Sequence, residues 1–154
     1  MNNEASGSVG VVLELQQLSH TLSRTEQSVT RRLARLLEDD GCSVEQWRAL
    51  LLLSDGRGHS MSELAHRILM PPASLTRLID RMVALNLAYR KADTVDRRRV
   101  LVYATARGHT LHRRLSRRIK RTQDEVLDAL PEAEVVELID ALTGLMDRRA
   151  AQRG

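Results

Sequence analysis

The amino-acid sequence predicts a mainly α-helical fold with one small β-hairpin set between long flanking helices. Three observations carry this. Apolar residues recur at three- and four-residue steps through both ends of the chain. Two short helical stripes with turn residues between them occupy the middle. Between Leu87 and Ala104 the period drops to two. With 154 residues and 42% hydrophobic side chains, the chain is long enough for one ordinary core and too apolar to be disordered.

Taken in order, residues 1–8 are small and polar and are expected to be disordered. From Val9 to about Glu38, the residues Leu15, Leu18, Leu22, Thr25, Val29, Leu33 and Leu36 mark one helical stripe. About thirty residues at 1.5 Å rise span roughly 45 Å, a length that suits packing on a partner chain. Gly41 after Asp39 and Asp40 offers a left-handed cap. Ser43 and Gln46 have capping-box spacing and open a helix to about Ser54, with Trp47, Leu50, Leu51 and Leu53 inward. Asp55-Gly56-Arg57-Gly58 is a turn, and Ser60 with Glu63 forms a second capping box before Leu64, Ala65 and Ile68. Pro71-Pro72 closes that helix and starts another, because proline is tolerated in a first turn and not in an interior.

This next helix buries Leu75, Leu78, Ile79 and Met82, and its opposite face carries Ala73, Arg77, Asp80 and Ala84. Asn86 can end it in the left-handed conformation. Strands follow at 87–92 and 99–104, and the loop between them holds Arg97 and Arg98 near its tip. Thr105 can cap a helix whose stripe is Leu111, Leu115, Ile119, Thr122, Val126 and Leu130, broken by Pro131. A last stripe of Val135, Leu138, Ile139, Leu142, Leu145 and Met146 runs to about Ala150. The expected organisation is therefore an N-terminal helix at 9–40, a central domain at 43–105 and C-terminal helices at 106–150.

Charge is distributed unevenly. The chain has 24 Lys and Arg against 20 Asp and Glu, a net +4, and all but Lys91 and Lys120 of the basic residues are arginine. Residues 57–121 hold sixteen basic and four acidic residues, a net +12, which leaves −8 for the rest. A basic middle between acidic ends is the footprint of a polyanion binder. Arginine is also the better side chain for planar recognition of phosphates and base edges.

Several function classes are excluded. Trp47, Tyr89 and Tyr103 are the only aromatics, too few for a stacking platform that binds single strands. No apolar run approaches the ~20 residues of a membrane span, and Met1 to Gly10 do not read as a secretory signal, so a cytoplasmic protein without a membrane partner is expected. A lone Cys42 makes neither an internal disulfide nor a zinc cluster. His109 and His112 have metal-pair spacing, but Arg107, Arg113 and Arg114 crowd them with positive charge, so no metal or other cofactor is expected. No nucleophile–base pair, paired carboxylates or phosphate loop is present, so no catalytic residue is assigned and no enzyme is expected.

Helix, helix, turn, helix and hairpin is the order of a winged helix-turn-helix. Its second helix fits the ~12 Å major groove of duplex DNA. Ala73 and Ser74 allow close approach of the backbone, and Arg77 is long enough to fork onto guanine. An arginine at the hairpin tip suits the narrow minor groove. Two-fold pairing of such subunits would match a pseudo-palindromic operator.

From Ser43 to Leu111 the chain resembles the MarR family (multiple antibiotic resistance regulators). The resemblance rests on Ser62-Glu63-Leu64-Ala65, on the run Ser74 to Met82, on Asn86-Leu87, on Asp93-x-x-Asp96-Arg97-Arg98 and on Thr105-x-x-Gly108. It departs at Asn86, where the family usually has glycine, and at Pro71-Pro72. The resemblance implies a homodimeric DNA-binding repressor built on intertwined terminal helices. Ser74, Thr76 and Arg77 would lie in the major groove, Arg98 in the minor groove and Arg97 on or near phosphate. Asp96 would hold an arginine by a charge-assisted bond. Ser62, Ala73, Arg81 and Arg90 complete the expected DNA-contacting set. The family also implies a small aromatic or anionic effector, for which His20, Arg24, Trp47 and Arg48 are the candidate residues. Two alternatives remain at this point: a redox-responsive regulator acting through Cys42, and a winged-helix protein-interaction module that does not bind DNA.

Overall fold

The computed structural model describes residues 4–127 and 132–151. Helix α1 spans Glu4–Glu38 and α2 spans Val44–Leu53. A two-residue strand β1, His59–Ser60, precedes α3, Met61–Ile68, and α4, Pro72–Ala84. Strands β2, Ala88–Ala92, and β3, Val100–Ala104, lead into α5, Ala106–Leu127, and α6, Glu132–Ala151. The chain divides into two compact units, one ending at Leu115 and the other beginning at Ser116. The break expected at Pro131 lies outside the described residues. No helix among the described residues is long and apolar enough to cross a membrane.

The first unit's core lies where α2, α3, α4 and the sheet converge. Ala49, Leu50 and Leu53 of α2 meet Leu64 and Ile68 of α3, Leu75, Ile79 and Met82 of α4, and Leu87, Ala88 and Val102 of the sheet. Leu51, expected inward, is 45% exposed, and Ala49 takes the inward place. A face set by Gln46, Ala49, Leu50 and Leu53 follows the three- and four-residue period, and Leu51 lies off it.

Local signals place the helix ends. Ser43 Oγ accepts from the Gln46 N–H at 3.2 Å, and Gln46 Oε1 accepts from the Ser43 N–H at 2.9 Å, a complete capping box. At α3 only half of the box forms. Ser60 Oγ accepts from the Glu63 N–H at 3.2 Å, while the Glu63 carboxylate turns to His59 instead. Gly41 and Asn86 both sit at positive φ, 59° and 55°. Leu69 ends α3 at φ 57° and ψ 47°, the conformation a side chain adopts least readily, in the tight turn before Pro71. Helix α1 begins at Glu4 rather than Val9. No proline interrupts residues 4–8, so the hydrogen-bond ladder can extend through them.

The hairpin is part of a three-stranded antiparallel sheet in the order β1-β3-β2. His59 pairs with Val102, and Arg90 also pairs with Val102 from the other side. His59 is buried, with Nδ1 2.8 Å from Glu63 Oε1 and Nε2 3.0 Å from Asp55 Oδ2. A neutral imidazole donates through one nitrogen only, so two facing carboxylates favour the doubly protonated ring. Burial opposes the charge, but hydrogen bonds and attraction to Asp55 and Glu63 outweigh it and raise the His59 pKa above 6.5. The linked stabilisation is therefore complete below about pH 6.5 and is lost as pH rises through the higher folded-state value. Urea unfolding of the wild type and of His59→Gln at a series of pH values measures it. Their stability difference is expected to shrink with rising pH above neutrality, and a pH-independent difference would show that the two carboxylates do not hold a charged ring.

Candidate nucleic-acid interface

Helix α4 begins at Pro72, where a missing N–H costs nothing. It turns Leu75, Ile79 and Met82 into the core. That rotation leaves Ala73, Thr76, Arg77 and Arg81 exposed, with Ser74 half-buried beside them. Thr76 Oγ1 donates to the Pro72 carbonyl at 3.0 Å, and Arg77 Nε lies 3.4 Å from the Ala73 carbonyl, so both side chains follow the helix surface toward its N-terminus. Ser62 is exposed at the start of α3, with its hydroxyl 3.3 Å from Ser60 Oγ.

The wing loop is shaped by its two aspartates. Asp93 Oδ1 accepts from the Val95 N–H at 2.9 Å, and Asp96 Oδ1 accepts from the Arg98 N–H at 3.0 Å. Backbone bonds from the Arg99 N–H to the Asp96 carbonyl and from the Asp93 N–H to the Arg99 carbonyl, both 2.9 Å, close the loop. Asp96 thus holds Arg98 through its backbone N–H, because a short carboxylate two residues upstream reaches the N–H directly. Arg97 and Arg98 are consequently exposed, with no ion pair among the described residues.

Arg90 behaves differently from the other candidates. Its Nη1 lies 2.7 Å from Asp80 Oδ1, so this guanidinium ties β2 to the outer face of α4. Other basic side chains of the central segment are also paired: Arg57 with Asp55, Arg67 with Glu63 and Arg114 with Asp40. Arg77, Arg81, Arg97 and Arg98 are in no ion pair among the described residues and leave a positive surface on α4 and the wing. No sequence signal marks the Arg90–Asp80 pair, which depends on how the hairpin folds back.

The effector candidates lie on α1 and α2. Arg48 Nη2 lies 3.4 Å from Glu26 Oε1 and 3.1 Å from Thr30 Oγ1, which joins α2 to α1. His20 and Arg24 are exposed on α1. Trp47 is half-buried, and its Nε1 is buried without a hydrogen-bond partner among the described residues. Cys42 is buried, and burial with the nearby Asp40 charge pushes its thiol up to about 11. Reactive cysteines need the opposite shift, so the redox alternative loses its physical basis. His112 is shifted the other way from His59: burial, with His109 and Arg113 nearby, lowers its pKa. No cluster that could hold a metal occurs among the described residues.

Residues 40–99 match the model of the MarR family. The transcriptional regulator FarR of Neisseria gonorrhoeae is 23% identical over 124 residues, 80% of this chain and 85% of the relative. The solved structure of the regulator BldR from Sulfolobus solfataricus superposes with TM-score 0.80 at 24% identity, covering 89% of this chain and 97% of that one. BpsR of Bordetella bronchiseptica superposes with TM-score 0.73 at 24% identity, over 84% and 92%. The family match falls on the helix-turn-helix and wing where the sequence motifs lie, and the solved structures share the fold.

Proposed function

We propose that this protein is a homodimeric transcriptional regulator that binds specific double-stranded DNA and acts as a repressor released by a small-molecule effector. The observation that carries the reading is the pairing pattern of the arginines. Arg67 and Arg90 are engaged by Glu63 and Asp80, while Arg77 on α4 and Arg98 on the wing stay exposed and in no ion pair among the described residues. A protein-interaction module has no need of two such cations at groove-reading positions. Residues 43–105 would form the DNA-binding domain, with Ser62, Ala73, Ser74, Thr76, Arg77 and Arg81 toward the major groove. Arg98 would enter the minor groove beside Arg97 on phosphate, and Arg90 would orient the wing through Asp80.

Dimerisation is supported by apolar surface that one chain leaves uncovered. On α1, Leu15, Leu18, Leu22 and Val29 are 41–59% exposed, and on α6, Val136, Leu138 and Ile139 are 52–56% exposed. Stripes of this kind mark association surfaces. The segments 9–40 and 106–150 are therefore read as the dimerisation helices. Two-fold symmetry then calls for half-sites about one helical turn, roughly 10 bp, apart. The effector reading draws on BpsR, whose DNA binding is described as regulated by 6-hydroxynicotinic acid. Here Trp47 Nε1 offers a buried donor in want of an acceptor. His20, Arg24 and Arg48 supply charge from α1 and α2. An effector would act through unequal affinity for DNA-competent and incompetent states.

Binding to the DNA upstream of the protein's own gene, titrated by gel shift against a random duplex, tests the reading. Arg77→Ala is expected to cost about 1–3 kcal/mol on the specific site and to relax base preference there, and Arg98→Ala to reduce the salt slope by about one unit. Equal loss on both duplexes would remove base reading by Arg77, and wild-type affinity for Arg98→Ala would remove the wing. Sedimentation velocity should give a dimer for the wild type and a monomer for the double variant Leu18→Glu, Leu22→Glu. A monomeric wild type at about 10 μM would end the dimer model.

A further inference from the structure

One register row crosses all three strands of the sheet. His59 of β1 faces Val102 of β3, and Val102 faces Arg90 of β2. Cross-strand partners place their side chains on the same face of a sheet. The row therefore holds a buried imidazole at one end, a fully buried valine in the middle and a guanidinium at the other end. Each end is fastened to a different helix. Arg90 reaches Asp80 of α4 at 2.7 Å. His59 reaches Glu63 of α3 at 2.8 Å and Asp55, in the turn after α2, at 3.0 Å. The sheet that carries the wing is thus tied through charge to both helices of the helix-turn-helix.

The two ties differ in what pH does to them. A guanidinium keeps its charge at any pH the fold survives, whereas an imidazole titrates. The charges facing His59 come from the turn after α2 and from α3. Asp55 and Glu63 meet its two ring nitrogens, and behind them lie the exposed Arg57, 3.3 Å from Asp55, and Arg67, 3.7 Å from Glu63. From β3 the ring is faced by uncharged Val102, while Tyr103 lies against Gly58 instead. The two carboxylates keep the ring protonated past its ordinary value of 6.5. Its charge is therefore complete below about pH 6.5 and is lost as pH rises through the higher folded-state value.

We infer that His59 is a positioning residue for DNA binding: its charged ring fastens the wing sheet to α3 as Arg90 fastens it to α4, and affinity for the specific duplex falls when the proton leaves. The inference rests on the DNA-binding reading above. A neutral ring turns a lone pair toward one of the two carboxylates and loses that hydrogen bond. The β1 end of the row is then held less firmly and the wing samples more orientations. Bringing Arg98 and Arg77 onto the duplex together costs more ordering, which lowers affinity.

Fluorescence anisotropy with a labelled duplex from upstream of the protein's own gene, at fixed ionic strength between about pH 6 and pH 9, tests this. Wild-type affinity is expected to fall about fivefold across that range, the size of a modest coupling between two sites. His59→Gln is expected to bind at the weaker level throughout, without that fall. Glu63→Gln keeps the imidazole but removes one carboxylate, so its fall is expected at lower pH than in the wild type; this variant decides the matter should His59→Gln not fold. Linkage is reciprocal, so the specific duplex should raise the titration midpoint of the His59 ring, followed by NMR, more than a random duplex of the same length does. Equal wild-type affinity at both ends of the range, a His59→Gln or Glu63→Gln profile that keeps the wild-type fall, or equal midpoints on the two duplexes would each overturn the inference. A wild type that binds no duplex at any pH would instead overturn the DNA-binding reading, and the inference with it.

Discussion

The geometry of the candidate interface depends on one small junction at the root of the wing. The Leu87 carbonyl accepts from the Thr105 N–H at 3.1 Å, so the residue entering β2 is tied to the residue leaving β3. Thr105 Oγ1 donates to the Asn86 carbonyl at 2.7 Å and accepts from the Gly108 N–H at 3.0 Å, which caps α5 at the same point. Such a cap contributes about 1 kcal/mol. Its larger consequence is positional: the end of α4, both roots of the hairpin and the start of α5 share one residue. Gly108 is required by closeness, because a Cβ there would run into the Leu87 carbonyl. Asn86, at φ 55°, reverses the chain just before the junction. The angle between the reading helix and the wing is therefore a property of Asn86, Leu87, Thr105 and Gly108.

Given that angle, the acidic residues of the central segment keep its cations available or take them out of play. Asp93 and Asp96 spend their carboxylates on backbone N–H groups of the wing loop, which rigidifies the loop without neutralising Arg97 or Arg98. Asp80 does the reverse and fixes Arg90 against α4. With four acids among residues 57–121, each placement matters. Moving an aspartate's partner from backbone to guanidinium would cancel a charge at the tip, where a positive potential is most useful against phosphate. Tyr89 and Tyr103, cross-strand partners stacked at 5.3 Å, stiffen the sheet between these two sites.

The elements written into local chemistry were legible in the sequence. The Ser43–Gln46 box, the Pro71-Pro72 boundary, the left-handed Gly41 and Asn86 and the Thr105 cap are all short-range events, and the structure shows each of them. What the sequence hid depends on tertiary pairing. Strand β1 has two residues, too few to show a period, and exists because β3 offers it an edge. Glu63 has the spacing of a capping-box acid but gives its carboxylate to the buried His59 ring, 2.8 Å away. Leu51 read as core because four leucines in succession carry no phase of their own. His20, Arg24, Trp47 and Arg48 stand on two helices, and residue type says little about which side chains converge.

Helix α1 shows why a single chain is an incomplete unit under the proposed dimer. Among the described side chains its C-terminal part meets the rest of its own unit: Leu37 is fully buried, Leu33 and Leu36 are half-buried, and Glu26 and Thr30 engage Arg48. From Glu14 to Val29 every residue is exposed, the leucines of the stripe included. Helices without tertiary contacts gain little from propensity, and this stretch also contains Ser, Thr and His, none of them strong helix formers. Under the proposed dimer its order would come from the partner subunit. In that dimer association and the folding of α1 would be one equilibrium, and stability would depend on protein concentration. Because α1 ends at Glu38, a short turn before α2, any shift in how two subunits packed on α1 would be delivered directly to the base of the helix-turn-helix.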